Sequence, residues 1–443
     1  MFNQILDKLN ANLSFDIKYR IIELQNVKIG FIFCDFLTDG IKVNDIIFSI
    51  INYPVSVVNN ENILKHLMSA TISKSRKEEI IISAILKGEL GLFVDGEQEI
   101  ILIDVKKYPG RLIGEPDSEK VVRGSRDGFT ETLSTNIALV RRRIANPNLI
   151  FEIFTIGSSS NTYVVLVYLK DRIDKNILLD VKNKLNKVST KELTMSDKAL
   201  EEHLISNVYS PYPLVKYTER PDTFSSHLYQ GMFGILVDTS PSAILGPVSI
   251  FDHMQHAEEF RQTIISGSYL RFIRFIGIIA GFLLIPIWFT MLRSGFITID
   301  LGVNQVFFQI ILIEISIEIV RMASIHTPSA LSTSMGLIAG IVIGDMAVNL
   351  GIINQKIAFL GFISALSSYI TPSYELSLAN KIMNLLLVFL VFIFKIYGLI
   401  FGLIFLIIYL ATLKSFGRSY LYPLVPFNLK SIFKQLFRKP YKE

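Results

Sequence analysis

The sequence predicts a two-part protein: an α/β two-subdomain cytoplasmic N-terminal half, followed by an α-helical polytopic membrane domain. Three observations lead there. First, 50% of the 443 residues are hydrophobic while 19% are charged, too apolar on average for a soluble chain and too charged for a membrane protein throughout. Second, the two properties are segregated: residues 1–268 are mixed and punctuated by turns, and residues 269–413 are mostly apolar. Third, strand-like and helix-like patterns alternate in the first half. The expected divisions are 1–115 and 116–250 for two α/β subdomains, 251–270 for a juxtamembrane helix, 271–413 for the membrane helices and 414–443 for a basic cytoplasmic tail.

The opening "MFNQILDKLNANLSFDIKYR" carries acidic and amide residues where a signal peptide has an uninterrupted apolar core. No cleaved leader is expected, and the first half is expected to stay in the cytosol. Cys34 is the only cysteine, which excludes a disulfide or a thiolate metal cluster within one chain. In "KIGFIFCDF" it reads as a buried strand position rather than a reactive thiol, because nothing cationic adjoins it in sequence. A net charge of +5 gives no support to nucleic-acid binding at this length.

Apolar runs broken by turn residues predict strands at "YRIIELQ", "KIGFIFCDF", "ELGLFVDGEQEIILIDV", "LIFEIFTIG" and "TYVVLVYLK". The third contains Asp95-Gly96 between two runs, a hairpin signal. Helical spacing appears in "IDKNILLDVKNKLNKV" and "MSDKALEEHLISN". The polar stretch "YPGRLIGEPDSEKVVRGSRDG" separates the two subdomains and leads into "FTETLSTNIALVRRRI". There Phe129, Leu133, Ile137 and Val140 share a helical face, and Arg141, Arg142 and Arg143 gather at the C-terminal end. Those arginines read either as a solvated helix end matched to the dipole or as a basic patch for anionic lipid or a partner.

Two lookalikes carry no assignment. "RGSRDG" has neither the Gly-Lys-Ser/Thr ending of a phosphate loop nor the dinucleotide-binding spacing. "DHMQHAEEF" brings Asp252, His253, His256, Glu258 and Glu259 together, but its histidines stand at i and i+3 without the glutamate between them that a metalloprotease needs. It reads as part of a polar helix at the membrane surface. No metal and no cofactor is expected.

Four apolar segments are drawn as spans at 272–292, 303–320, 331–353 and 357–370. A fifth, 383–413, is too long for one straight helix, which rises ~1.5 Å per residue across a ~30 Å hydrocarbon core. Lys395 and Gly398 near its middle point to two shorter helices with a bend, or to strong tilt. Arg261, Arg271 and Arg274 precede the first span, and Lys414, Arg418, Lys430, Lys434, Arg438, Lys439 and Lys442 follow the last. By the positive-inside rule both ends are expected in the cytoplasm, with four to six crossings.

Ionisable residues inside a membrane cost about 2.5 to 3.5 kcal/mol each and mark function by default. Glu314, Glu318 and Arg321 lie at i, i+4 and i+7 on one helical stripe. They serve either as an ion pair holding helices together or in ion passage. In "GLIAGIVIGDMAVNLG", Gly336, Gly340 and Gly344 form a packing stripe. Ser334, Ile338, Ile341, Val342, Asp345 and Asn349 form another face, polar at both ends with a branched apolar waist, which suits a water-filled path with a constriction.

The segments "VVRGSRDGFTETLSTNIALVRRRI", "YPLVKYTERPD", "DTSPSAILGPVSIFDHMQHAEEFRQ", "IVRMASIHTPSALSTSMGLIAGIVIGD", "TPSYELSLANK" and "YLYPLVPFN" together resemble the A-subunit family of GerA-type spore germination receptors. The likeness runs from about Tyr108 to Phe437 and rests on long, multi-part signatures. It implies a protein of the inner spore membrane of an endospore-forming bacterium, with a cytoplasmic two-part N-terminal domain and a membrane domain. It also implies homo-oligomers, pentamers by analogy, that release cations early in germination. In one branch it implies work beside a dipicolinic acid channel with a small membrane partner and other germination proteins. Asp252 stands where the family pattern leads one to expect another imidazole, which weakens a metal reading further.

The expected function is a cation-conducting channel subunit that promotes or amplifies ion release in germination, with membrane lipid as a partner and nucleic acid excluded. The alternative is a non-conducting scaffold or signalling subunit of the germination or dipicolinic acid release complex. A secondary transporter would show repeated halves with paired broken helices, and no such duplication is legible. Nor does any nucleophile, base and oxyanion set converge, so no enzyme is expected.

Overall fold

The computed structural model describes residues 1–52, 58–67, 71–108, 124–326 and 347–437. The chain forms two compact units, one of Met1–Val208, Val215–Val248 and Ser415–Gly417, the other of Tyr209–Leu214, Ser249–Lys414 and Arg418–Glu443.

The first unit is α/β and holds two five-stranded antiparallel sheets. Strands β1 (Ile17–Leu24), β2 (Val27–Cys34), β3 (Ile72–Ser75), β4 (Glu89–Val94) and β5 (Ile100–Asp104) run in the order β1-β2-β4-β5-β3. The second sheet has β6 (Leu149–Ile156), β7 (Thr162–Leu169), β8 (Lys216–Thr218), β9 (Phe233–Val237) and β10 (Ala243–Gly246) in the order β6-β7-β9-β10-β8. The two orders are the same permutation. Each sheet opens with a hairpin, passes through helices to its third strand, then through one helix to a closing hairpin. In the first these are α2 (Gly40–Ile51) and α3 (Asn60–His66), then α4 (Glu78–Leu86); α1 (Phe2–Lys8) and α5 (Leu133–Arg143) precede the two sheets. In the second they are α6 (Lys175–Lys187) and α7 (Ser196–Leu204), then α8 (Pro221–Tyr229). The α/β unit is thus a structural repeat, which no spacing in the sequence discloses.

Both faces of each sheet are covered, so the inner strands are apolar without alternation. On the first sheet Ile29, Phe31, Leu90 and Leu92 pack on one side and Ile32, Cys34, Phe93 and Leu102 on the other. The β1–β2 turn is made by Gln25 and Asn26, both at positive φ (50° and 65°), which matches the twist of the flanking strands. Asp95-Gly96 does lie between paired strands, β4 and β5, with Gly96 at φ +87°. The connection runs over 95–99 rather than closing on two residues.

The second unit is helical: α9 (Ile250–Met254), α10 (Ile264–Arg293), α11 (Val303–His326), α12 (Gln355–Ile370), α13 (Tyr374–Phe394), α14 (Ile396–Thr412) and α15 (Leu429–Leu436). Residues 251–270, expected as one juxtamembrane helix, fall in three pieces. Ser249 and Asp252 form a capping box on α9, a 3-10 turn follows at Ala257–Phe260, and Thr263 caps a new helix. The bend expected near Lys395 is a full break, with Lys395 at φ +55°, ψ −135° between α13 and α14.

Those two helices fold back on one another because Gly398 and Gly402 have no side chain. A Cβ on Gly398 would sit 2.1 Å from the Leu390 carbonyl oxygen, and one on Gly402 2.5 Å from Leu387 Cδ2. The first clash is with backbone and has no rotamer to relieve it. Gly398→Ala is therefore expected to destabilise the helix pair by about 1 to 3 kcal/mol. Gly40→Ala, at a helical site with nothing within 4 Å, is expected to leave thermal unfolding in mild detergent unchanged or slightly raised. Equal midpoints for the two variants would refute the close approach.

Candidate functional site

The helical unit holds a layer of charged and amide side chains inside otherwise apolar helices. Its construction begins at Pro286 in α10. Proline has no N–H to offer the carbonyl four residues back, so the Phe282 carbonyl needs another donor. Asn384 on α13 supplies it: Nδ2 donates to Phe282 O at 2.8 Å and to Gly281 O at 3.0 Å. Gly277 and Gly281, four apart on α10, let α12 approach closely, for a Cβ on Gly281 would overlap the Ser367 hydroxyl and one on Gly277 would touch Ile370. Small residues at such spacing are how helices associate where lipid removes the hydrophobic drive.

On α13, Tyr374, Ser377, Lys381 and Asn384 follow at i, i+3, i+7 and i+10 and face α10 and α11. Lys381 Nζ lies 2.8 Å from Glu314 Oε2 on α11, with both side chains buried. One turn on, Arg321 holds Glu318 Oε1 through Nη2 (2.9 Å) and Nε (3.2 Å). It also donates from Nη1 to Ser377 Oγ at 2.9 Å, and its guanidinium lies 4.6 Å from the Tyr374 ring centroid. Between the helices is a polar cavity of about 20 Å³ lined by Glu314, Ser364, Ser367, Thr371, Lys381 and Asn384, room for about one water. Glu314 Oε1 and Oε2 and Lys381 Nζ make no hydrogen bond among the described residues, so the two side chains are paired by charge. Chemically this is a charge-balanced, hydrogen-bonding seam, fit to hold helices in register and to accept a small polar species.

Glu314, Glu318 and Arg321 do share α11, but they do not act as one stripe. Glu318 and Arg321 pair within the helix, and Glu314 is taken by a lysine from another helix. Lys381 and Ser377 were missed because the fifth span is drawn from residue 383, and Asn384, just inside it, was passed over as part of an apolar run. Their own helical spacing in "YELSLANKIMN" was the available signal. Of the proposed pore face only Asn349 is described, exposed at the end of a single helical turn, Ala347–Asn349. Ser334, Ile338, Ile341, Val342 and Asp345, with Gly336, Gly340 and Gly344, lie outside the described residues. Of the basic residues before the first span, Arg271 and Arg274 are both bound to buried Glu259, whose single charge offsets one of their two.

The α/β unit has a second buried charge cluster, and it takes one member, Arg141, out of the arginine run. Arg141, fully buried, forks onto Asp16 through Nε (2.7 Å) and Nη2 (3.1 Å). It also donates to the carbonyls of Asn146 (3.0 Å) and Leu149 (2.9 Å). Ser14 donates to Asp16 Oδ1 at 2.6 Å and accepts the Phe151 N–H at 3.1 Å. Arg142 lies over the Tyr108 ring and Arg143 pairs with Asp127 at 2.5 Å. Arg141 is thus no part of a solvated end: it bolts the second sheet's subdomain to the strand that opens the first, while Arg142 stays exposed at the helix end and Arg143 half-buried. Cys34 is buried as expected and donates weakly to Asp16 Oδ2 at 3.4 Å. Burial, and then the Asp16 carboxylate, hold its thiol well above the usual range and keep it protonated.

An α/β unit of two like sheets, joined in one chain to helices that bury ion pairs, defines a membrane protein of two parts. Two of its helices, Ile264–Arg293 and Tyr374–Phe394, are long and apolar enough to cross a bilayer. Over residues 3–443 the chain matches the family model described as Bacillus/Clostridium GerA spore germination protein, and it belongs to that family. Stage V sporulation protein AF of Bacillus subtilis (strain 168) is 40% identical over 393 residues, covering 87% of this chain and 79% of the relative. Spore germination protein A1 of the same organism is 29% identical, covering 99% of this chain and 93% of the relative. Among solved structures, the N-terminal domain of the A subunit of the Bacillus megaterium spore germinant receptor GerK3 is similar at 23% identity and a TM-score of 0.42, over 56% of this chain and 92% of that one.

Proposed function

We propose that this chain is an A-subunit-like protein of the inner spore membrane that assembles into a cation-conducting oligomer and promotes or amplifies ion release during germination. The observation that carries the proposal is the set of buried Glu314, Lys381, Arg321 and Asn384 with half-buried Glu318, which ties three apolar helices, α10, α11 and α13. A bundle that served only as an anchor gains nothing from ionisable groups that each cost kilocalories to insert. Similarity to A-type germination proteins supports the same reading. In it the chain crosses the membrane several times with both ends cytoplasmic, works with a small membrane partner and other germination proteins, and forms a pentamer. Ser334, Ile338, Ile341, Val342, Asp345 and Asn349 line the path while Gly336, Gly340 and Gly344 pack it. No catalytic step is proposed.

The test is cation flux from liposomes holding the purified protein, with and without the membrane partner. Asp345→Asn is expected to lower flux severalfold without disturbing assembly, because a ring of carboxylates concentrates cations at the mouth of the waist. Val342→Ala is expected to give leak. No flux under either condition would sink the channel reading. One observation favours a non-conducting scaffold: the seam's charges are mutually neutralised, Glu314 by Lys381 and Glu318 by Arg321, as a packing role requires.

A further inference from the structure

We propose that α15 lies in the interfacial plane of a membrane containing anionic lipid, with its apolar face among the upper acyl chains and its lysines at the headgroups. At about 100° per residue, Leu429, Ile432, Phe433, Leu436 and Phe437 fall on one face, and Lys430, Ser431, Lys434 and Gln435 on the other. A helix on a soluble protein turns its apolar face inward. Here three of the five apolar residues face out instead. Leu429, Phe433 and Phe437 are 56%, 53% and 53% exposed, and the last two rings stack on each other.

It is the polar face that is fixed to the protein. The Gln435 carbonyl accepts from Arg271 Nη1 at 2.9 Å, the Gln435 side chain bonds Gln255, and the Ser431 and Tyr422 hydroxyls bond at 3.0 Å. Asn428 caps the first turn, accepting from Ser431 N at 3.1 Å. Leu429, Phe433 and Phe437 therefore point outward, with Ile432 and Leu436 half-buried beside the anchored side. Arg271 sits near the start of α10, so α15 is tied to the end of a helix long enough to span. A strongly amphipathic helix with lysines on its polar side, held at that level, has the form of an interfacial helix.

Charge selects the occupant. After Lys414 the sequence carries Arg418, Lys430, Lys434, Arg438, Lys439 and Lys442 against Glu443 alone. A second copy seated on this face would bring like charges together, whereas anionic headgroups complement them. The proposal rests on reading α10 as a membrane span.

The experiment uses the full chain with Cys34→Ser and one reporter cysteine, at Phe433 or one turn away at Leu429, carrying an environment-sensitive dye. A reporter at Ile279, exposed on α10, checks the span. The protein is reconstituted in phosphatidylcholine vesicles, with or without phosphatidylglycerol, whose lipids bear nitroxides at shallow acyl positions. Quenching at 433 and 429 is expected to be severalfold stronger with phosphatidylglycerol. Lys430→Glu with Lys434→Glu should weaken interfacial binding on the order of fivefold per lysine. Quenching at 279 without any at 433 and 429 would overturn the proposal, and an emission change that follows protein density and ignores headgroup would point to a second copy and overturn it too. Absence of quenching at all three positions would overturn the reading of α10 as a span, and the proposal with it.

Discussion

Arg141→Ala is expected to destabilise the α/β unit by about 3 to 5 kcal/mol, the cost of leaving a buried charge without its partner. Asp16 would remain fully buried, keeping only the Ser14 hydroxyl and the weak Cys34 donor, while two carbonyls lost their guanidinium donors. Cys34 offers a local readout. It is the sole cysteine, it touches Asp16, and its thiol stays protonated and inert while the cluster is closed. Reaction of the purified full-length protein with a thiol reagent is expected to be slow in the parent and to rise by about two to three and a half orders of magnitude in Arg141→Ala, as about 1.4 kcal/mol per decade implies when opening precedes reaction. Arg141→Lys keeps the charge but loses the fork and should fall between them. Asp16→Asn with Arg141→Met should recover much of the loss, since removing both charges avoids the unpaired one. Labelling of Arg141→Ala at the parent's rate would show that the cluster does not hold the subdomains.

The order of elements was legible where local chemistry decides it. β1, β2, β4, β5, β6 and β7 fall where the apolar runs place them, as do α5, α6 and α7, because each run is long and its ends carry turn or cap residues. β3 reads "ISKS" and gives no alternating apolar signal, since it is a short edge strand whose polar residues face out. β9 and β10, "FGILV" and "AILG", are buried throughout and too short to tell from helix. Partners distant in the chain were not legible at all. Arg141 and Asp16 are 125 residues apart, and nothing local marks which of three consecutive arginines turns inward. Lys381 was hidden because the fifth span is drawn from residue 383, two residues past the charge that completes the Glu314 pair. The repeat of strand order between the sheets stays invisible for a related reason, because topology constrains burial pattern and loop placement rather than residue identity.

Lys381→Met is expected to be the most damaging single change in the helical unit, because it removes the counter-ion of a carboxylate 1% exposed among apolar helices. The loss should again be about 3 to 5 kcal/mol. Arg321→Ala should cost less, since Glu318 is less deeply buried than Glu314. The double variant Glu314→Gln, Lys381→Met removes both charges and keeps a side chain of similar length at each position. Its stability in mild detergent should return close to the parent's, as should that of Glu318→Gln with Arg321→Met. Flux then separates two roles that stability alone leaves joined. If the seam only holds α10, α11, α12 and α13 together, both recovered doubles conduct like the parent, and conduction depends on Asp345 alone. If Glu314 serves ion passage, the first double folds, assembles and fails to conduct, while the second, whose charges are spent on each other and on Ser377, conducts normally. A Glu314→Gln, Lys381→Met protein that stayed as unstable as Lys381→Met alone would overturn the ion-pair account, because there would then be no buried charge left to blame.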